Sequence, residues 1–186
     1  MTYPVSRRIA GRALLTAIAA VAVTATSAVA GTGGIDSGGV PGGGGGTTTD
    51  PGEGVFPVRA KHTYGDGLGA GRGHDGQDLM ARCGKPIVSV YSGRVQMVDT
   101  HSSAGNYVVI DGSGKLKDTV YMHLQSRASV RKGQKVAAGE EIGLVGDTGN
   151  ASACHLHFEI WSNPGYYEGG SPVDPEPYLR AWDRKR

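Results

Sequence analysis

The 186-residue sequence predicts an all-β, mainly antiparallel domain with little helix. Three observations point there. From Val55 onward, short apolar and β-branched runs alternate with glycine-containing turns, the pattern of strands joined by tight connections. No segment sustains an apolar period of 3.6 residues over three turns. The stretch His155–Trp161 separates its histidines from its apolar residues with the period of two that belongs to a strand.

Taken in order, residues 86–91 and 94–98 flank Ser92-Gly93 and read as a β-hairpin. Residues 106–110 and 119–124 are two further strands, joined by the polar stretch 111–115. Val136 and residues 142–145 lie among Gly133, Gly139, Gly143 and Gly146, and His155–Trp161 is the last strong strand. These elements make one β-rich domain over residues 55–186, ending in a short polar tail, Arg184-Lys185-Arg186.

The remainder of the chain has a different character. Residues 1–30 carry Arg7, Arg8 and Arg12 ahead of an alanine-rich apolar run that closes on Ala28-Val29-Ala30, the layout of an export signal with a small-x-small cleavage site. Only Leu14 and Leu15 are strongly apolar leucines, a poor composition for a retained membrane anchor, so no stable membrane insertion is expected once the signal is removed. Residues 31–54 include five consecutive glycines, Gly42 to Gly46, and hold almost no apolar surface; they read as a flexible linker. Without the three basic residues of the signal, the 19 basic residues fall to 16 against 17 acidic, a net charge of −1. That balance argues against nucleic acid as a partner. Cys83 and Cys154 are an even pair in a chain read as secreted, which favours a disulfide.

The candidate chemistry lies in the histidines. In His74-Asp75-Gly76-Gln77-Asp78 the imidazole and the carboxylate are four residues apart and can share one face of a strand; both are good zinc ligands. On the strand beginning at His155, His155 and His157 project from one face and Leu156, Phe158 and Ile160 from the other. The apolar face is the core face, so the histidines look into water or a groove. His123, in Tyr121-Met122-His123-Leu124, stands at a strand end. Each segment taken singly also fits a polar surface or a structural histidine.

Together the three segments resemble the signature of the lysostaphin-like zinc metallopeptidases, bacterial peptidoglycan endopeptidases, in the family's order and over roughly residues 55–180. The stretches around Cys83-Gly84-Lys85, Gly146-Asp147-Thr148-Gly149 and Val173-Asp174-Pro175 resemble the family as well. The resemblance implies one zinc ion per chain held by His74, Asp78 and His157, with His123 and His155 as catalytic histidines. It implies a secreted, cell-wall-associated monomer that hydrolyses cross-links or stem peptides of peptidoglycan. Three protein ligands leave a fourth position open, the pattern of catalytic zinc. Which of His123 and His155 is the general base is left open, as is the peptide bond cut. The alternative is an inactive relative that binds peptidoglycan or regulates another hydrolase; such relatives lose ligands, whereas here all five positions are filled.

Several residues remain beside that set. Ala153 and Cys154 stand where many relatives have glycine and proline, and strand parity turns Cys154 away from the metal. If Asp78 and His157 meet at one ion, their strands run side by side and bring Cys83 and Cys154 to similar depths, which again predicts the Cys83–Cys154 bridge. Tyr64 is a candidate for assisting an oxyanion, Glu159 is either a partner to a ligand or an exposed strand residue, Asn106 is a turn residue, and His62 and His101 are expected on the surface.

Overall fold

A computed structural model describes residues 54–71, 73–112 and 118–186. The expected export segment and all of the expected linker except Gly54 lie outside the described residues. Gly54 already belongs to the domain: a side chain there would collide with the indole of Trp182.

The chain forms β1 (His62–Tyr64), β2 (Gln77–Ala81), β3 (Pro86–Val88), β4 (Gly93–His101), β5 (Gly105–Gly112), β6 (Asp118–Leu124), β7 (Lys135–Val136), β8 (Glu141–Leu144), β9 (His155–Trp161), β10 (Pro172–Val173) and one helix, α1 (Glu176–Asp183). The large sheet has the order β1-β2-β9-β6-β5-β4-β7, with β10 also on β9; β3 and β8 form a separate pair. Every pairing is antiparallel. The all-β expectation therefore holds.

The alternation of β9 decides the layering. Leu156, Phe158 and Ile160 are fully buried in a core shared with Leu79 and Tyr121 of the large sheet, Ile87 and Ile142 of the small sheet, and Leu179 and Trp182 of α1. Full burial of one such side chain is worth roughly 1.5–3 kcal/mol. The small sheet and the helix thus contribute to the core on one side of the large sheet, and the histidines of β9 lie on the other.

One expectation is corrected. Residues 86–91 and 94–98 do not form a hairpin with each other: β3 pairs with β8, whereas β4 pairs with β5 and β7. Ile87, Val88, Ser89 and Val90 are all buried, so this segment is enclosed on both faces, as no strand of a half-exposed hairpin would be. The Val90 N–H donates to the Tyr121 hydroxyl at 2.9 Å, tying the segment to β6. The polar tail is also anchored. It follows directly on α1, and the Arg186 guanidinium donates to the Ala60 carbonyl at 3.2 Å. The helix escapes a three-turn periodicity test because it has only eight residues, with Leu179 and Trp182 as its buried pair.

Candidate metal centre and flanking histidines

β2 and β9 lie side by side in a register that sets Asp78 opposite His157 and Met80 opposite His155. Asp78 reaches the site from β2. His74 does not share that strand, contrary to expectation. It stands in the turn before β2, and its Nδ1–H donates to the Gly67 carbonyl at 2.9 Å. Gln77 fixes the same loop from behind: its side-chain amide donates to the carbonyls of Gly65 and Asp66 at 3.0 and 3.1 Å. Gly76 lets that loop close on β9, since a side chain there would strike the Phe158 carbonyl and crowd His157 and Glu159.

Three donor atoms converge as a result. His74 Nε2 lies 3.1 Å from Asp78 Oδ1, His157 Nδ1 lies 3.0 Å from the same oxygen, and the two nitrogens are 3.1 Å apart. The outer contacts set the tautomers. His74 gives its Nδ1–H to Gly67, and His157 gives its Nε2–H to Glu159 Oε1 at 3.0 Å. With both rings neutral, the inward nitrogens present lone pairs to a carboxylate oxygen; without a metal, a proton on His157 must fill that gap. A cation among them reconciles that arrangement. Two imidazole nitrogens and one carboxylate oxygen are a zinc donor set, and ligands at about 2.0–2.1 Å in tetrahedral array stand about 3.3 Å apart, close to what is found. The cluster Cys83, Asp147 and Cys154 also gathers potential ligands, but its two sulfurs are joined in a disulfide, so it offers no thiolates.

Glu159 is buried, not exposed, and is the hydrogen-bond partner of His157. Its second oxygen accepts the Trp161 indole N–H at 2.6 Å, so both oxygens are held. Burial opposes a charge on His157, but the hydrogen bonds and charges of Asp78 and Glu159 outweigh it and raise its pKa to about 9 without metal. Burial also opposes ionisation of Asp78, yet the His157 hydrogen bond and the neighbouring imidazoles hold its carboxyl below the usual value.

His123 and His155 stand beside the cluster, their ring centroids 4.6 Å apart, and His123 lies 6.0 Å from His157. Each has its Nδ1–H anchored on a backbone carbonyl at 2.8 Å, His123 on Thr148 and His155 on Ala153. Among the described residues neither Nε2 makes a hydrogen bond, and that of His155 is 3.7 Å from Asp78 Oδ1. Strand parity alone would aim His123 with Tyr121 into the core. A φ of +61°, found at no other described residue except glycines, turns it to the site. Such a backbone is costly for a residue with a Cβ. It is held by the His123 N–H to Ala104 bond at 2.9 Å and by the Thr148 hydroxyl, which donates to the Leu124 carbonyl at 2.7 Å. Burial pushes the His123 pKa down; the Thr148 bond opposes it, the charges of His155 and His157 add to it, Asp78 opposes it weakly, and the net direction is downward. A neutral ring with a free Nε2 is a proton acceptor at neutral pH.

The other candidates fall elsewhere. Tyr64 pairs with Leu79, on the opposite face from Asp78, and lies beneath the Arg180 guanidinium; it takes no part in the cluster. His62 is not a surface residue: it stacks on Phe56 at 4.3 Å and meets Asp183 at 3.3 Å. His101 is exposed, as expected. Asn106 clasps the β5–β6 end through the Leu124 carbonyl. Gln77 and Thr148 were not singled out in the sequence. Their only signal is their place inside the motifs, Gln77 after Gly76 and Thr148 between Asp147 and Gly149.

Comparison with known proteins gives a consistent picture. The model of peptidase family M23 matches residues 72–175. The peptidoglycan DD-endopeptidase ShyA of Vibrio cholerae serotype O1 is 45% identical over 87 residues, 47% of this chain and 20% of that protein. The L-Ala–D-Glu endopeptidase of Bacillus subtilis is 33% identical over 153 residues, 73% of this chain and 45% of that protein. The chain thus spans less than half the length of either relative. Among solved structures, the catalytic domain of lysostaphin from Staphylococcus simulans superposes with a TM-score of 0.58 at 30% identity, covering 64% of this chain and 92% of that one. A zinc-containing peptidase from Vibrio cholerae superposes with a TM-score of 0.56 at 33% identity, covering 67% and 38%.

Proposed function

The chain belongs to peptidase family M23, and from that premise we propose that it is a secreted, zinc-dependent endopeptidase that hydrolyses peptide bonds of bacterial peptidoglycan. The carrying observation is the meeting of two tautomer-fixed imidazoles and one carboxylate at 3.0–3.1 Å, with two further anchored imidazoles alongside. The relatives named as peptidoglycan endopeptidases support the substrate class.

His74, Asp78 and His157 hold the metal. A zinc ion there supplies Lewis-acid chemistry for amide hydrolysis. The chain's own residues do the rest. One of His123 and His155, through its Nε2, accepts the proton of the attacking water. The other, once protonated, donates from Nε2 to the developing oxyanion or to the leaving amine. The anchoring carbonyls of Thr148 and Ala153 keep both rings in the tautomer these roles need. Residues 1–30 are the export signal, residues 31–54 the tether and the domain that follows the peptidase; the enzyme acts as a monomer at the cell wall.

The test is digestion of purified peptidoglycan by the zinc-loaded domain, with new termini identified by mass spectrometry. New amino termini that vanish on chelation and return with zinc support the reading. Intact peptidoglycan after incubation with fully zinc-loaded protein overturns it.

A further inference from the structure

We propose that Lys61 and Arg82 form a carboxylate-binding subsite beside the metal centre, so that the preferred substrate is a peptide bearing a free carboxylate a few residues from the scissile bond. The inference rests on the peptidase reading above and adds its specificity.

A cleft of about 370 Å³ is lined by Lys61, Thr63, Met80, Arg82 and their neighbours at the β1–β2–β9 edge. Its position follows from register. Asp78 is opposite His157, Met80 is opposite both His155 and Thr63, and His62 is opposite Ala81; Lys61 and Arg82 are the next residues beyond that last pair. Asp78, Met80 and Arg82 alternate along one face of the chain, the face of the metal ligands. A side chain at Gly65 would meet Asp78 Cβ at 3.2 Å and the Met80 sulfur at 3.3 Å, so Met80 lies directly beside the ligand. Met80 links the two: it lines the cleft and lies beside Asp78, so the cleft begins next to the candidate metal centre and ends at two cations.

Those cations have no evident structural employment. Among the described residues neither Lys61 nor Arg82 is paired with a carboxylate, and no acidic residue lines the cleft. By contrast Arg180 and Arg186, also near β1, are paired with Glu176 and Asp183. Two unpaired cations over a largely apolar cleft favour an anionic group on the bound chain. At roughly 3.3 Å per residue, Arg82 lies about 13 Å along the strand from Asp78. An extended peptide covers that distance in about four residues, and side chains as long as lysine and arginine can shorten it. A carboxylate two to four residues from the scissile bond is thus in range, and an uncharged glycine bridge offers nothing to the subsite.

The experiment compares purified peptidoglycan with the same material after its carboxylates are converted to primary amides. The zinc-loaded enzyme is expected to cleave the native form at least about tenfold faster at low substrate, the scale of one charge-assisted contact. The double variant Lys61→Gln/Arg82→Gln, with zinc content checked, should lose that advantage and cleave the amidated form at the parent's rate. Equal cleavage of both substrates by the parent overturns the subsite and leaves the peptidase reading standing, as does a double variant that keeps the full preference. If neither substrate is cut by zinc-loaded protein, the peptidase reading falls. Sedimentation binding to the two materials then decides the subsite: preference for the native form that the double variant loses supports it, and equal binding overturns it.

Discussion

Glu159 grips His157 by Nε2–H at 3.0 Å, on the side of the ring turned away from Asp78. The contact fixes which nitrogen faces Asp78 and His74 and would make that nitrogen a better donor to the proposed zinc. Glu159→Gln keeps an oxygen acceptor but removes the charge. Zinc affinity should fall about 10–100-fold, measured by competition with a chromophoric chelator, while the fold persists. Affinity equal to the parent's would show that the carboxylate is only packing.

Metal retention and turnover should separate cleanly. His74→Ala, Asp78→Ala and His157→Ala should lose zinc and activity together. His123→Ala and His155→Ala should keep about one zinc per chain while turnover drops about 10²–10⁴-fold. The sharpest comparison is His155 against His157, two residues apart on the same strand face. Atomic absorption that finds zinc in His157→Ala and none in His155→Ala would reverse the two roles.

Acidity gives a third test. Without metal, His157 has a pKa of about 9, despite burial, because Asp78 and Glu159 hold its proton. An unfolded histidine titrates near 6.5. The proton-linked stability of the metal-free protein is therefore complete below about pH 6.5 and is lost as the pH rises through about 9. Zinc must displace that proton, so binding at pH 7 should release about one proton from this site, and apparent affinity should climb roughly tenfold per pH unit between 7 and 9. Calorimetry in buffers of different ionisation enthalpy reads the proton count; no release from this site would contradict the shift.

Cys83 and Cys154 are joined across 71 residues of sequence. Closing a loop of that length in the unfolded chain is worth about 4 kcal/mol on the chain-entropy model. Cys83→Ser/Cys154→Ser should lower stability by roughly 2–4 kcal/mol in chemical denaturation of the zinc-loaded protein. An unchanged midpoint would mean that the zinc already constrains the same loop.

Gly76→Ala tests the packing of the ligand loop. The added carbon meets the backbone carbonyl of Phe158, a group that cannot swing aside. His74 should withdraw from Asp78 and His157, so zinc loss is expected without gross unfolding, by zinc assay beside circular dichroism. Full zinc content would show that the loop has room the closed packing does not suggest.

The strand period of β9 was legible because one face is wholly apolar and the other carries His155 and His157. His74, Asp78 and His157 were reachable through motif resemblance, and the disulfide through cysteine count and register. What was not legible depends on contacts distant in sequence. The enclosure of Ile87 to Val90 on both faces arises only when the small sheet and the large one share a core. The aim of His123 depends on a left-handed backbone that no propensity for histidine would suggest. Gln77 and Thr148 act through backbone carbonyls, which leave no trace in side-chain pattern.

The segment between β8 and β9 carries the carbonyls of Thr148 and Ala153, and with them the orientation of both flanking imidazoles. Loops beside a cleft are where an engineer first looks to change what an enzyme accepts. Here that freedom is asymmetric. Redrawing residues 147–154 would release both flanking imidazoles from their present orientation unless two carbonyls are returned to the same points in space, whereas side chains at the outer end of the β1–β2 flank can be exchanged without touching either anchor. Natural or designed diversification of this scaffold should accordingly concentrate on the β1–β2 flank and leave the backbone path of the 147–154 loop unaltered.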